Sequence, residues 1–172
     1  FFLGWLVLTA LGISAEMFTR QLVPTYRSPF PWAGLFFVLA WHLTWSAISG
    51  METLLHGFLV FLVLAALGVG TRRYLALGLL TGLSVWVRPD GLTLLGPICL
   101  IALLVESSWS SRGSALIKAA IGFGALFLPY LLFNLAISGN PMPNTYYAKQ
   151  AEYEAVWLLK PLADRLAEYL FP

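Results

Sequence analysis

The sequence has 172 residues, of which 59% are hydrophobic and only 10% are charged, and its formal net charge is +2. Because soluble domains carry about 25% charged residues, this composition excludes an ordinary soluble domain and predicts an all-α, polytopic membrane protein. The small net charge says little about partners, and no nucleic-acid partner is predicted. The single cysteine, Cys99, excludes an intramolecular disulfide and a cysteine-rich metal site within this sequence.

Six apolar runs predict a bundle of about six membrane helices, since a membrane-spanning helix needs roughly 20 mostly apolar residues. The first run, FFLGWLVLTALGIS, has no basic n-region and no small-residue cleavage site. We therefore interpret it as a membrane helix entered partway rather than as a signal peptide, and we expect the sequence to be an internal fragment of a longer protein. The predicted helices cover about 1–15, 32–48, 51–69, 73–88, 91–105 and 114–136.

The basic residues predict how these helices are oriented. If successive connections alternate between two sides, one side collects Arg20, Arg27, Arg72, Arg73, Arg112 and Lys118. The positive-inside rule makes that side cytoplasmic. The segments SGMET, RPDG and GNPMPNTYYAK then share the outer side, where short helices and irregular backbone indicate an outward-facing polar pocket.

Two domains are predicted. Residues 1–149 form a transmembrane helical domain, and residues 150–172 form an amphipathic helical segment on the outer surface. The second assignment follows from the mixture of charged residues with regularly spaced leucines in AEYEAVWLLKPLADRLAEYL.

Glu52, in SGMET, is a carboxylate within otherwise apolar sequence. Ser49 and Glu52 have the spacing of a capping box, which predicts a helix start. A role in the pocket, as a base or as a ligand for sugar hydroxyls, is compatible with capping. His56 lies four residues further on and therefore shares a helical face with Glu52, but two residues are too few to predict a metal site.

Arg88 and Asp90 flank the proline of RPDG. Pro89 ends the preceding helix, and Asp90 is well placed to cap the next one. Arg88 has two alternative roles: its side chain reaches the lipid headgroups, or its guanidinium binds a phosphate bidentately.

The segment GNPMPNTYYAK predicts an extended loop stiffened by its two prolines. Asn144 offers an amide group suited to sugar hydroxyls, Tyr147 offers an aromatic face, and Lys149 offers a cation for a phosphate. The structural alternatives are an interfacial loop with an aromatic belt and a solvated surface lysine.

The segments SGMET, GLSVWVRPDG and GNPMPNTYYAK, taken together over roughly residues 46–150, resemble the terminal arabinofuranosyltransferase group of bacterial GT-C membrane glycosyltransferases. The resemblance implies a multi-pass enzyme of the bacterial inner membrane with a periplasmic active site. It also implies a polyprenyl-phosphate-linked sugar as donor and a cell-envelope glycan or glycolipid as acceptor. The presumed catalytic carboxylate of such enzymes lies in an outer loop that this sequence does not contain, so we expect the fragment to be inactive alone.

Within this resemblance, Glu52 and Asp90 are the catalytic candidates, Arg88 and Lys149 bind the phosphate, and the remaining substrate-binding candidates are His56, Asn144 and Tyr147. Membrane lipid is a further expected partner. No cofactor is evident, and a divalent cation remains an open alternative. The rival hypothesis is a multi-pass transporter or flippase-like carrier, because broken helices around a polar site also suit transporters; a third is a non-catalytic membrane scaffold.

Overall fold

The computed structural model describes residues 2–50, 52–159 and 164, and the regular elements of these residues are all helical. The all-α prediction is therefore confirmed for the described part of the chain. The elements in chain order are α1 (Phe2–Leu22), α2 (Trp32–Leu39), α3 (Trp41–Ser49), α4 (Glu52–Gly68), α5 (Tyr74–Val87), a 3-10 helix (Pro89–Leu94), α6 (Leu95–Val105), α7 (Trp109–Ser138) and α8 (Asn144–Leu159).

The chain divides into two compact units, Phe1–Leu128 and Pro129–Pro172. The first unit contains α1 to α6 and the first part of α7. The second unit contains the rest of α7 and α8. The predicted amphipathic segment 150–172 lies in the second unit, and its residues beyond 159, apart from 164, lie outside the described residues.

Two helices begin or end beyond their predicted limits, and local side-chain bonds explain both differences. The first helix continues from the predicted limit near residue 15 to Leu22, where Arg20 Nε donates to Glu16 Oε1 at 2.7 Å across one helical turn. The helix α7 begins at Trp109 rather than near residue 114. Its N-cap is provided by Ser108, whose hydroxyl accepts a hydrogen bond from the backbone N–H of Ser111 at 3.1 Å.

The predicted second helix is broken. The helices α2 and α3 meet at an angle of 57°, and Ala40 between them has an extended conformation, with φ −63° and ψ 110°. The hydroxyl of Thr44 donates to the carbonyl of Val38 at 3.0 Å, so it satisfies a backbone group near the break. The break predicted at SG is confirmed, because Gly50 ends α3 in the left-handed conformation with φ 71°.

The number of membrane spans is smaller than predicted. Among the described residues, α1 and α7 are long and apolar enough to cross a membrane, and the bent pair α2–α3 raises the number to three if it counts as one span. The other apolar helices are too short for the six-span prediction. The helix α4 has 17 residues, which span about 25 Å, whereas the hydrocarbon core is about 30 Å thick. The helix α5 has only 14 residues.

The contacts within the first unit define two opposite ends of its helices. At one end, the last turn of α3 packs so closely on α1 that a Cβ added at Gly4 would overlap the carbonyl of Ala47. We call this the Glu52 end, since α4 begins there. At the other end Leu22 contacts Gly68, where α1 and α4 terminate. We call this the Glu106 end, because Glu106 follows α6 there.

Two buried clusters of apolar side chains hold the first unit together. One cluster joins α4, α5, α6 and α7 around Val63, Leu77 and Ile98, all of which are essentially inaccessible to solvent. The other joins α1, α3 and α4 around Leu8 and Ala47. Both clusters involve α4, so this helix connects the two halves of the unit and fixes the position of His56 in its second turn.

Candidate functional site

The candidate site of the first unit lies where the start of α4 meets the end of α5 and the 3-10 helix. Arg88 ends α5 with an extended backbone, φ −148° and ψ 134°, as expected of a residue that precedes proline. Its N–H donates to the carbonyl of Ser84 at 2.8 Å, and its own carbonyl accepts from the N–H of Gly91 at 3.0 Å. These two bonds fold RPDG back against the last turn of α5.

Ser84 and His56 form the polar contact between α4 and α5. Ser84 Oγ and His56 Nδ1 are joined by a hydrogen bond of 3.1 Å. Ser84 is fully buried, whereas His56 is partly exposed. Because a buried hydroxyl needs a partner, this bond fixes the imidazole ring while part of the ring remains accessible.

Gly91 allows the 3-10 helix to approach this contact closely. A Cβ at position 91 would lie 2.6 Å from Ser84 Oγ, 2.7 Å from the carbonyl carbon of Ser84 and 2.8 Å from the N atom of Val85. All three distances are below van der Waals contact, so a side chain at this position would displace the 3-10 helix or α5. Gly91 therefore allows the 3-10 helix to pack against Ser84, the residue that bonds to His56.

Arg88 and Asp90 form an ion pair beside the imidazole. Arg88 Nη2 lies 3.3 Å from Asp90 Oδ2, and the two side chains are 29% and 66% exposed. Ser84 connects the pair to the imidazole, because its Oγ is hydrogen-bonded to His56 Nδ1 and its carbonyl accepts a bond from the N–H of Arg88. The structure therefore brings together His56, Arg88 and Asp90, three of the candidates that the sequence predicted. Since the pair is open to solvent, its net contribution to stability is small, and Arg88 can exchange Asp90 for another anion.

Asp90 does not cap the next α-helix as predicted. It lies within the first turn of the 3-10 helix, and its carbonyl, not its carboxylate, accepts a hydrogen bond, from the hydroxyl of Thr93 at 2.8 Å. The carboxylate instead faces Arg88. Pro89 at the start of the 3-10 helix shifts the helix boundary, because proline is well suited to a first helical position.

Glu52 is the first residue of α4 and is exposed. The predicted capping box is wrong in its geometry: Ser49 is the last residue of α3, its hydroxyl donates to the carbonyl of Ser46 at 3.3 Å, and the left-handed Gly50 separates it from α4. Among the residues that the structure describes, Glu52 has no hydrogen-bond or ion-pair partner. It lies one helical turn before His56, at the end of α4 where a carboxylate is favoured by the helix dipole.

Asn144, Tyr147 and Lys149 lie in the second unit, in the first two turns of α8. The extended loop predicted for GNPMPNTYYAK is thus wrong from Asn144 onward. Asn144 and Lys149 are exposed and Tyr147 is partly exposed. The ring of Tyr147 makes an edge-on contact with that of Tyr146, with centroids 5.4 Å apart. A pocket shared by these residues and Arg88 stays a prediction.

Four buried polar residues of the described chain were not singled out from the sequence: Glu16, Thr81, Ser84 and Glu106. The i, i+4 spacing of Glu16 and Arg20 is a signal that could have found that pair. No local signal marks the hydrogen bond that the hydroxyl of Tyr74 donates to Glu106 Oε1 at 3.0 Å, since 32 residues separate the partners.

Apolar grooves, rather than a group of metal ligands, lie elsewhere among the described residues. Within them, no group of three or more His, Cys, Asp and Glu side chains could hold a metal ion. Two grooves lie along α1, α2 and α3 and are almost entirely apolar. One, of about 300 Å³, is lined mainly by aliphatic side chains, with the carboxylate of Glu16 at its margin. The other, of about 510 Å³, includes Trp5, Trp41 and Trp45.

Comparisons with known proteins identify no relative. No protein-family model matches the chain, and neither a curated protein nor a solved structure matches it.

Proposed function

We propose that the protein is a membrane glycosyltransferase that transfers a sugar, arabinofuranose being the first candidate, from a polyprenyl-phosphate donor to a cell-envelope glycan or glycolipid on the periplasmic side. The observation that carries this proposal is the cluster at one end of the helices in which Ser84 bonds both His56 and the backbone of Arg88, and Arg88 pairs with Asp90. Two further features support it, namely the sequence resemblance and the exposed carboxylate of Glu52 at the same end.

The cluster supplies the two functions that this reaction requires. In the transfer, the oxygen of an acceptor hydroxyl forms a bond to the anomeric carbon, the bond from that carbon to the phosphate oxygen breaks, and the hydroxyl proton goes to a base. The polyprenyl phosphate departs with the negative charge. Glu52 and His56 are the basic groups, one turn apart on α4. Arg88 is the cation, and its guanidinium suits two phosphate oxygens.

In this proposal, Asp90 competes with the phosphate for the guanidinium of Arg88. At 3.3 Å the carboxylate partly neutralises the guanidinium, so an approaching phosphate must compete with it. After the exchange, the released carboxylate can accept a hydrogen bond from a sugar hydroxyl. In the proposal, Asn144, Tyr147 and Lys149 of the second unit keep their predicted roles as ligands of sugar hydroxyls and phosphate.

The proposed setting is a bacterial inner membrane with the Glu52 end outside. The helices α4, α5 and α6 are shorter than the hydrocarbon core, so their polar end lies below the membrane surface, where a lipid-linked phosphate can reach it. A carrier protein would use the same setting to move the lipid-linked sugar without making a glycosidic bond. Product analysis therefore distinguishes the two functions.

The test is sugar transfer in membranes that contain the protein expressed from its native reading frame. With a radiolabelled polyprenyl-phosphate arabinofuranose as donor, Arg88→Ala should reduce the formation of labelled glycan by about a hundredfold, the usual cost of removing a charge-stabilising donor. Arg88→Lys should retain part of the activity, because it keeps the charge but loses the bidentate geometry. Arg27→Ala is the matched control, since Arg27 is an exposed arginine in the connection between α1 and α2.

The outcomes separate three possibilities. Loss of transfer in Arg88→Ala with normal transfer in Arg27→Ala supports the phosphate-binding role. Transfer at the wild-type rate in Arg88→Ala would refute that role. Labelled donor that crosses the membrane without any new glycosidic bond would instead identify a carrier.

A further inference from the structure

Three arginines gather at the Glu106 end of the first unit, opposite the candidate site. Arg72 and Arg73 immediately precede α5, and Arg112 lies in the first turn of α7. Glu106 brings two of them together: its side-chain Oε1 lies 3.8 Å from Arg72 Nε, and its carbonyl accepts a hydrogen bond of 2.9 Å from Arg112 Nε. We call these three residues the basic cluster.

Glu106 positions the basic cluster from its buried side. The residue is buried and follows the last turn of α6, where the helix dipole disfavours a carboxylate. Its charge is accommodated because the hydroxyl of Tyr74, also buried, donates to it at 3.0 Å. The carboxylate thus connects α5 to the connection between α6 and α7, and the arginines around it are positioned by the fold rather than by chance.

The basic cluster has more positive charge than its acidic partner can neutralise. Of its three guanidinium groups, that of Arg72 lies near the carboxylate of Glu106, which also accepts the bond from Tyr74. The side chain of Arg72 is 62% exposed, and Arg73 is exposed without an ion pair among the described residues. An excess of exposed guanidinium groups over carboxylates is the arrangement that recognises a phosphate.

The surroundings of the cluster indicate that this phosphate belongs to a lipid. Trp109 is 81% exposed, and its ring lies under the guanidinium of Arg112 at 5.0 Å. The neighbouring Leu104 and Val105 are exposed as well. Exposed apolar side chains in the same segment as exposed cations, with a tryptophan ring against one guanidinium, match the boundary between headgroups and acyl chains.

We propose that the basic cluster binds the headgroup phosphate of an anionic phospholipid, with Trp109, Leu104 and Val105 against its glycerol and acyl region. The helix α5 separates this surface from the candidate site, because its 14 residues extend over about 20 Å. The proposal is therefore independent of glycosyl transfer and holds whether or not the protein is an enzyme.

The test measures lipid binding to the purified protein by native mass spectrometry. Dioleoyl phosphatidylglycerol and dioleoyl phosphatidylcholine, which share their acyl chains and differ in headgroup charge, are titrated separately. The wild type should retain phosphatidylglycerol in preference. The double variant Arg72→Gln/Arg73→Gln should bind it more weakly, by about fivefold for each arginine removed, since a basic residue at a membrane surface contributes roughly that factor.

The control is Arg27→Gln/Lys118→Gln, which removes the same net charge at two exposed positions outside the cluster. It should bind phosphatidylglycerol as the wild type does. The single variant Arg73→Gln keeps the test usable if the double variant does not fold, because Arg73 makes no ion pair among the described residues. Equal weakening in both double variants, no weakening in either, or equal retention of phosphatidylcholine by the wild type would each overturn the proposal.

Discussion

Gly91→Ala tests the packing that positions the candidate site. The added Cβ would meet three atoms of α5 at 2.6 to 2.8 Å, and two of them, the carbonyl carbon of Ser84 and the N atom of Val85, belong to the backbone. A backbone atom cannot move aside by changing a rotamer, so the 3-10 helix must shift. Overpacking of this kind costs about 1–3 kcal/mol. Alanine recovers up to about 1 kcal/mol by restricting the unfolded chain. We therefore expect a net loss of about 1–2 kcal/mol in the free energy of unfolding.

The matched control for this substitution is Gly96→Ala. Gly96 is exposed in the first turn of α6, and a Cβ there meets no atom within 4 Å. This variant should be as stable as the wild type or more stable, by up to about 1 kcal/mol. The measurement is equilibrium unfolding of the purified protein in mixed detergent micelles, followed by far-ultraviolet circular dichroism. Equal stability of the two alanine variants would refute the described approach of the 3-10 helix to α5.

A second variant separates the side-chain contact from the backbone contacts. Ser84→Ala removes the closest of the three atoms, at 2.6 Å, but leaves the contacts at 2.7 and 2.8 Å. The double variant Gly91→Ala/Ser84→Ala should therefore remain destabilised relative to Ser84→Ala alone. Complete recovery would mean that only the hydroxyl of Ser84 opposes the new methyl group, contrary to the geometry.

Two further predictions concern the packing of the other helices. Gly122→Ala should destabilise the protein by about 1–3 kcal/mol, because its Cβ would overlap the carbonyl of Leu75 on α5. Gly124→Ala, two residues further along α7, should not, because its Cβ would face open space. The same unfolding measurement tests both variants. Tyr74→Phe and Glu106→Ala should be coupled by about 1 kcal/mol or more in a double-mutant cycle of unfolding free energies, since each removes one partner of their buried 3.0 Å hydrogen bond; additive effects would contradict that bond.

The positions of the helices were largely predictable because the sequence marks their ends locally. Gly50 and Pro89 stop α3 and α5 through backbone conformations that no distant residue needs to impose. The break at Ala40 was not predictable in the same way, because neither glycine nor proline marks it. The end of α1 was misjudged since Glu16 and Arg20 were treated as residues of a connection, although they pair within the helix.

The sequence indicated candidate residues but not their contacts. His56, Arg88 and Asp90 were among the candidates, and they lie near one another around Ser84, while their roles stay predictions. It could not indicate Ser84, since a serine in an apolar helix has the same local pattern whether it faces lipid, another helix or a ligand. Its role depends on the distance to His56, 28 residues away. Partners of this kind require tertiary structure, because no helical period relates them.

Burial distinguishes the carboxylates at the two ends of the first unit, although the sequence presents them alike. Glu16 and Glu106, at the Glu106 end, are buried and bonded to Arg20 and Tyr74 respectively. Glu16 also accepts a bond from the N–H of Gly34 at 3.4 Å. Because a buried carboxylate that lost these partners would be costly, both acids depend on the surrounding fold. Glu52 and Asp90, at the other end, are exposed. An exposed carboxylate contributes little to stability, so Glu52, and Asp90 once Arg88 releases it, can bind a ligand. The difference in burial is therefore consistent with the proposal that the chemistry takes place at the Glu52 end.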